Sequence, residues 1–137
     1  MTASDPRAQS VIDLLKQLRA GWPSAAWEWD GRFGCALSTL AGPDEARGRQ
    51  ALIVALPAAW TAAKLAEAPP VVRKLCAETG GLRGGQMVYS AELPNQTVVY
   101  CLWWPWGSGG NFSARIGAAA DDGADLDAAV RAAFDFK

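Results

Sequence analysis

The sequence contains no histidine among its 137 residues. The chain alone therefore cannot form a Ser-His-Asp triad, a Cys-His pair or a histidine-bearing metal site. It also lacks the side chain whose ordinary pKa lies nearest to physiological pH. Cysteine, aspartate, lysine and tyrosine can still take part in catalysis, so the absence makes an enzyme less expected without excluding one.

The sequence has no excess of charge of either sign. Thirteen basic and fourteen acidic residues leave a net charge of -1, so no overall field attracts nucleic acid or an anionic membrane. No apolar run is long enough to cross a bilayer, and charged residues interrupt the first apolar positions, where a signal peptide would have its core. We therefore expect a cytoplasmic protein that binds neither nucleic acid nor membranes.

The three cysteines have no Cys-x-x-Cys spacing of the kind found in zinc and redox sites. Cys35, Cys76 and Cys101 each lie in an apolar pattern, which favours small buried side chains. The alternative is a reactive thiolate, for which Cys76 is the candidate because Arg73 and Lys74 are close by. We predict no catalytic residue, no metal site and no cofactor.

The length fits one domain over residues 1–137, and the spacing of apolar residues changes along it between helical and strand periods. Together these patterns predict an α+β domain with a mainly antiparallel sheet of about six strands packed by helices, in the order α-βββ-α-βββ-α. The predicted helices lie near 6–20, 58–79 (interrupted at Pro69-Pro70) and 126–134, and the predicted strands near 27–29, 33–37, 51–56, 87–91, 98–104 and 112–116.

Two strand predictions concern how the faces of the sheet are covered. Residues 98–104 are the longest apolar run and should form a central strand buried on both sides. Apolar and polar side chains alternate over residues 112–116, so Ser113 and Arg115 should lie on a solvent-exposed face.

The Asp30-Gly31 pair predicts a two-residue hairpin turn. Glu28 and Asp30 share a strand face, the minimum for paired-carboxylate chemistry, but a solvated face is the expected explanation.

The predicted element order resembles that of small secretion chaperones, which are acidic homodimers that bind unfolded segments of partner proteins. The resemblance covers the order of elements along the whole chain and involves no shared motif. It implies a binding role and carries over no site residue.

Aromatic residues supply the strongest candidates for binding. The sequence has seven tryptophans, of which three lie within residues 102–106. The Trp104-Pro105-Trp106 segment could present rings to a ligand or partner, although packing explains tryptophan equally well. Glycines on both sides of Arg83 could let its guanidinium receive a carboxylate or phosphate, with a plain linker as the alternative. The predicted binding residues are Trp104, Trp106, Asn111 and Arg83.

These observations predict a non-enzymatic protein-interaction or chaperone-like module whose partner is another protein or a second copy of the chain. The alternative is a small-ligand-binding domain that uses the Trp/Gly loop 103–111. A histidine-free enzyme comes third.

Overall fold

The computed structural model describes residues 6–83, 85–105 and 110–136. The helices are α1 (Pro6–Gly21), α2 (Glu45–Ala55), α3 (Pro70–Glu78) and α4 (Asp127–Ala133). The strands are β1 (Glu28–Asp30), β2 (Cys35–Leu40), β3 (Ala58–Trp60), β4 (Met87–Leu93), β5 (Thr97–Pro105) and β6 (Phe112–Ala120).

The six strands form one sheet in the order β1-β2-β6-β5-β4-β3. Every neighbouring pair is antiparallel. The long apolar strand β5 lies between β6 and β4, and its residues 97–103 are buried, so both of its faces are inside the protein, as its sequence predicts. The predicted class, an α+β fold with a mainly antiparallel six-stranded sheet, is confirmed.

Two elements between β2 and α3 differ from the prediction. Residues 51–55, predicted as a strand, lie in α2, which begins at Glu45 within residues 42–50, where the loop-like composition predicts neither helix nor strand. Residues 58–60, predicted as helical, form β3, which pairs with β4 through Ala59 and Tyr89. The Trp60 indole Nε1 also donates a hydrogen bond to Ser90 Oγ at 2.9 Å. Pairing with an available strand edge therefore outweighs the helix propensity of alanine.

The hairpin predicted at Asp30-Gly31 forms, but its turn is longer than two residues. Asp30 pairs with Cys35, so residues 31–34 make the connection between β1 and β2. Gly34 takes a φ of +65°, a conformation that glycine adopts without a steric penalty.

The first face of the sheet, which carries Val99, Cys101 and Trp103, is covered by α1, α2 and α4. The helical spacing of apolar residues in α1 and α4 predicts that Leu14, Leu15, Leu18, Val130 and Phe134 are buried. Four of these five are buried, whereas Leu14 is half-buried. Trp103 is fully buried. Gly48 of α2 lies directly over this core, because a Cβ atom there would be 2.7 Å from Leu40 Cδ1 and 3.6 Å from Trp103.

The second face carries Val98, Tyr100 and Leu102 and is covered by α3, whose Val72 and Cys76 pack against it. The prediction that Ser113 and Arg115 lie on a solvent-exposed face of β6 is wrong. Ser113 is 7% exposed, and the Arg115 side chain is 13% exposed. Both side chains point to the second face, where packing and an ion pair replace solvent.

Candidate functional site

The structure does not gather the predicted binding residues into one site. Trp104 lies near the end of β5 on the second face, Asn111 is half-buried just before β6, and Arg83 is exposed between α3 and β4. Trp106 lies outside the described residues, as do residues 107–109 of the loop 103–111 that is predicted to bind a small ligand. Within the described ranges, no hydrogen bond, ion pair or ring contact joins Trp104, Asn111 and Arg83.

Trp104 instead packs against a buried ion pair. The Arg115 guanidinium lies 4.6 Å from the centre of the Trp104 ring, and the edge of Phe33 approaches that ring with a centroid distance of 6.0 Å. Arg115 Nε donates to Asp30 Oδ2 at 2.9 Å. These contacts favour the packing interpretation of Trp104. They also show that Asp30, predicted to be solvated, is mostly buried.

The surroundings of Asp30 favour the ionised form of its carboxyl group, so this residue is poorly suited to acid-base chemistry near neutral pH. Burial alone would raise its pKa, but hydrogen bonds from the Arg115 guanidinium and the Arg32 amide outweigh burial and lower the pKa below the ordinary value. Glu28, which shares this strand face, is exposed. The paired-carboxylate interpretation therefore gains no support from the geometry.

The cysteines are buried thiols, as their apolar surroundings predict. Burial raises the pKa of Cys35 to about 12 and holds the pKa of Cys101 well above its ordinary value. Burial also raises the pKa of Cys76, so the neighbouring Arg73 and Lys74 do not produce a thiolate there. In the part of the chain that the structure describes, no group of three or more cysteine, aspartate and glutamate side chains is placed to hold a metal ion.

One concave feature is a groove between α3 and the segment that joins β6 to α4, with a volume of about 390 Å³. We call it the α3 groove. Its apolar surface comes from both sides of the groove and includes Val71, Leu75, Ala118, Ala119 and Leu126. Its charged residues are four carboxylates and one ammonium group, from Glu78, Asp121, Asp125, Asp127 and Lys74.

Asp127 is the least exposed of these carboxylates. It begins α4 and packs against the β1–β2 turn, where a Cβ atom on Gly34 would lie 3.1 Å from Asp127 Oδ2. Among the described residues, its carboxylate accepts no hydrogen bond. Burial, together with the charge of Asp125, raises its pKa. A cation bound in the α3 groove would therefore relieve an unfavourable burial of charge.

Sequence reasoning missed the α3 groove because its two sides are more than forty residues apart. The only local sign is the acidic segment DDGADLD at residues 121–127, which supplies three of the four carboxylates. Nothing in that segment indicates that α3 lies opposite it, since this placement depends on how α3 covers the second face.

Comparison with known proteins adds no relative. The chain matches no protein-family model, no curated protein and no solved structure. The likeness to secretion chaperones therefore rests on the predicted order of elements alone, and α2 lies where that order has its third strand. No helix in the described ranges combines the length and the apolar character that a membrane span requires.

Proposed function

We propose that this protein is a protein-interaction module that binds an extended segment of a partner protein in the α3 groove. The observation that carries the proposal is the combination of an apolar floor with an acidic rim in a groove of about 390 Å³. The segment it fits has apolar side chains for the floor and lysine or arginine side chains for the rim.

Two physical effects support this choice of partner. In an extended segment, alternate side chains point to opposite sides, so one set can enter the groove while its neighbours reach the rim. Burial of apolar side chains against Val71, Leu75 and Leu126 supplies the driving force. Opposite charge at the rim favours basic segments over acidic ones and speeds their association.

A chaperone-like role agrees with this kind of recognition, because an unfolded partner exposes extended apolar segments. The raised pKa values of the thiols and the lowered pKa of Asp30 give no comparable support to an enzyme. We also propose a cytoplasmic location. The three free thiols support it, since exported proteins more often hold their cysteines in disulfides.

The proposal is tested by fluorescence anisotropy with a labelled peptide that alternates leucine and lysine, and with the same peptide carrying glutamate in place of lysine. We expect the lysine peptide to bind and the glutamate peptide to bind at least about tenfold more weakly. Substitution of Glu78→Gln together with Asp121→Asn should weaken binding of the lysine peptide, because it removes two rim charges at exposed positions.

Glu28→Gln together with Glu67→Gln is the matched control. It removes two exposed carboxylates that do not line the groove, so binding should be unchanged. Equal binding of the two peptides would contradict the proposal. An equal loss in the control and in the groove variant would contradict it as well, since net charge would then explain the effect.

A further inference from the structure

A second cleft lies at the end of the sheet where β4 begins, and it shares no lining residue with the α3 groove. Its volume is about 420 Å³. Arg49 of α2 lines it on one side, the turn at residues 61–63 lines another, and Leu82, Arg83 and Met87 complete it. We call it the arginine cleft. Among the described residues that line it, two carry guanidinium groups and none carries a carboxylate.

Arg49 is held in place before any ligand arrives. Its Nε donates to Glu45 Oε2 at 2.9 Å, four residues earlier on α2. Its guanidinium also lies 5.3 Å from the centre of the buried Trp103 ring. The hydrogen bond to Glu45 uses Nε, and the guanidinium also interacts with the Tyr89 hydroxyl, so Arg49 offers an anion its remaining terminal N–H groups. A cation fixed in this way loses little conformational freedom when it binds an anion.

Arg83 contributes the second charge from a glycine-rich turn. Its backbone amide donates to Gln86 Oε1 at 2.8 Å, so the turn that carries it is closed by a neighbouring side chain. Gly81 and Gly85, two residues to either side, both have positive φ values, of +83° and +80°. The Arg83 side chain is exposed and has no ion-pair partner among the described residues.

We propose that the arginine cleft binds a small organic anion, with a carboxylate or phosphate between Arg49 and Arg83 and an apolar part against Leu82 and Met87. Guanidinium groups pair with both kinds of oxyanion through two parallel hydrogen bonds. The remaining lining is apolar or small, as in most small-molecule sites of this size. Gln86 and Thr61 add side-chain hydrogen-bonding groups at the edge of the cleft.

Isothermal titration calorimetry with four probes tests the inference. Hexanoate and hexyl phosphate carry both parts of the proposed ligand, hexan-1-ol carries only the apolar part, and inorganic phosphate carries only the charge. We expect at least one of the first two to bind with a dissociation constant of about 1 mM or tighter, and the last two to bind more weakly. The tighter of hexanoate and hexyl phosphate identifies the preferred head group.

Arg83→Gln should weaken that binding at least about tenfold, because it removes one of the two charges. Arg49→Gln should do the same, with its melting temperature measured to confirm that the fold survives loss of the Glu45 contact. Arg47→Gln is the matched control, since Arg47 lies on the same helix, is 70% exposed and does not line the cleft.

Failure of both hexyl anions to bind would overturn the inference. Binding that Arg83→Gln leaves unchanged would also overturn it, as would an equal loss with Arg47→Gln. Because the α3 groove and the arginine cleft share no residue, the leucine-lysine peptide experiment reports on the proposed function separately.

Discussion

Arg115 and Asp30 form an ion pair across the second face, with Arg115 Nε 2.9 Å from Asp30 Oδ2 and only 13% and 12% of their side chains exposed. The two residues belong to β6 and β1, which are separated in the sheet by β2. The pair therefore ties the edge strand to a central strand, and the Trp104 ring packs against the guanidinium.

Asp30→Asn should destabilise the protein by about 3 kcal/mol, because it leaves the Arg115 charge buried without its counter-ion. Urea denaturation at pH 7 measures the loss. Asp135→Asn removes an exposed carboxylate that pairs with Arg19 and should cost much less. A comparable loss of unfolding free energy in the two variants would show that burial does not make the Asp30–Arg115 pair more important for stability than the exposed pair.

The same pair predicts an acid dependence of stability. The pKa of Asp30 is lowered in the folded protein, so the pair stabilises the fold above the ordinary aspartate pKa of 3.8 and this contribution is lost as the pH falls through the lowered value. Wild type and Asp30→Asn should therefore converge in free energy of unfolding as the medium becomes strongly acidic. A difference that stays constant with pH would contradict this explanation.

The Asp127 carboxyl group should give stability the opposite dependence on pH. Its pKa is raised in the folded protein, so its contribution to stability is fully present below the ordinary value of 3.8 and is lost as the pH rises through the raised value. Asp127→Asn should be more stable than wild type at pH 7, and the difference should narrow towards pH 3.8. The same variant should bind the leucine-lysine peptide more weakly. Lower stability at pH 7 would show that the Asp127 charge is satisfied.

Gly117→Ala should destabilise the protein by about 1 to 3 kcal/mol, because the added methyl group has no space. A Cβ atom at Gly117 would lie 2.8 Å from Tyr100 Cζ, and the Tyr100 ring is buried on the neighbouring strand. Gly31→Ala is the control, since a Cβ atom there would meet nothing within 4 Å. Equal small effects in thermal unfolding would mean that the ring shifts freely.

A homodimer remains our expectation, and the C-terminal end of α2 is the surface we expect it to use. Ile53 and Val54 are 52% and 61% exposed, and the edge strand β3 follows them closely in sequence. Two-fold pairing of this surface would bury both side chains. Analytical ultracentrifugation should give twice the chain mass of 14.5 kDa, with the monomer restored by Ile53→Lys and not by Gln17→Lys, which changes an exposed residue of α1. A single-chain mass across concentrations would contradict the dimer.

Several elements could be predicted because local pattern alone specifies them. Apolar residues recur at helical spacing along the segment that contains Leu15 and Leu18. A strand would place these residues on both of its faces, whereas a helix places them on one. Residues 98–104 are apolar at every position except the tyrosine hydroxyl, so only a strand covered on both faces accommodates them. Four of the five predicted stripe residues and the central position of β5 are accordingly confirmed.

The tertiary structure decided what short or distant segments do. Residues 51–60 carry apolar side chains compatible with either period, and they became the end of α2 followed by β3 because β4 offered an open edge. Asp30 and Arg115 were each consistent with a solvated strand face until the strand order placed them together. The α3 groove and the arginine cleft arise in the same way, since each combines charges from segments whose spacing in the chain contains no information about their distance in space.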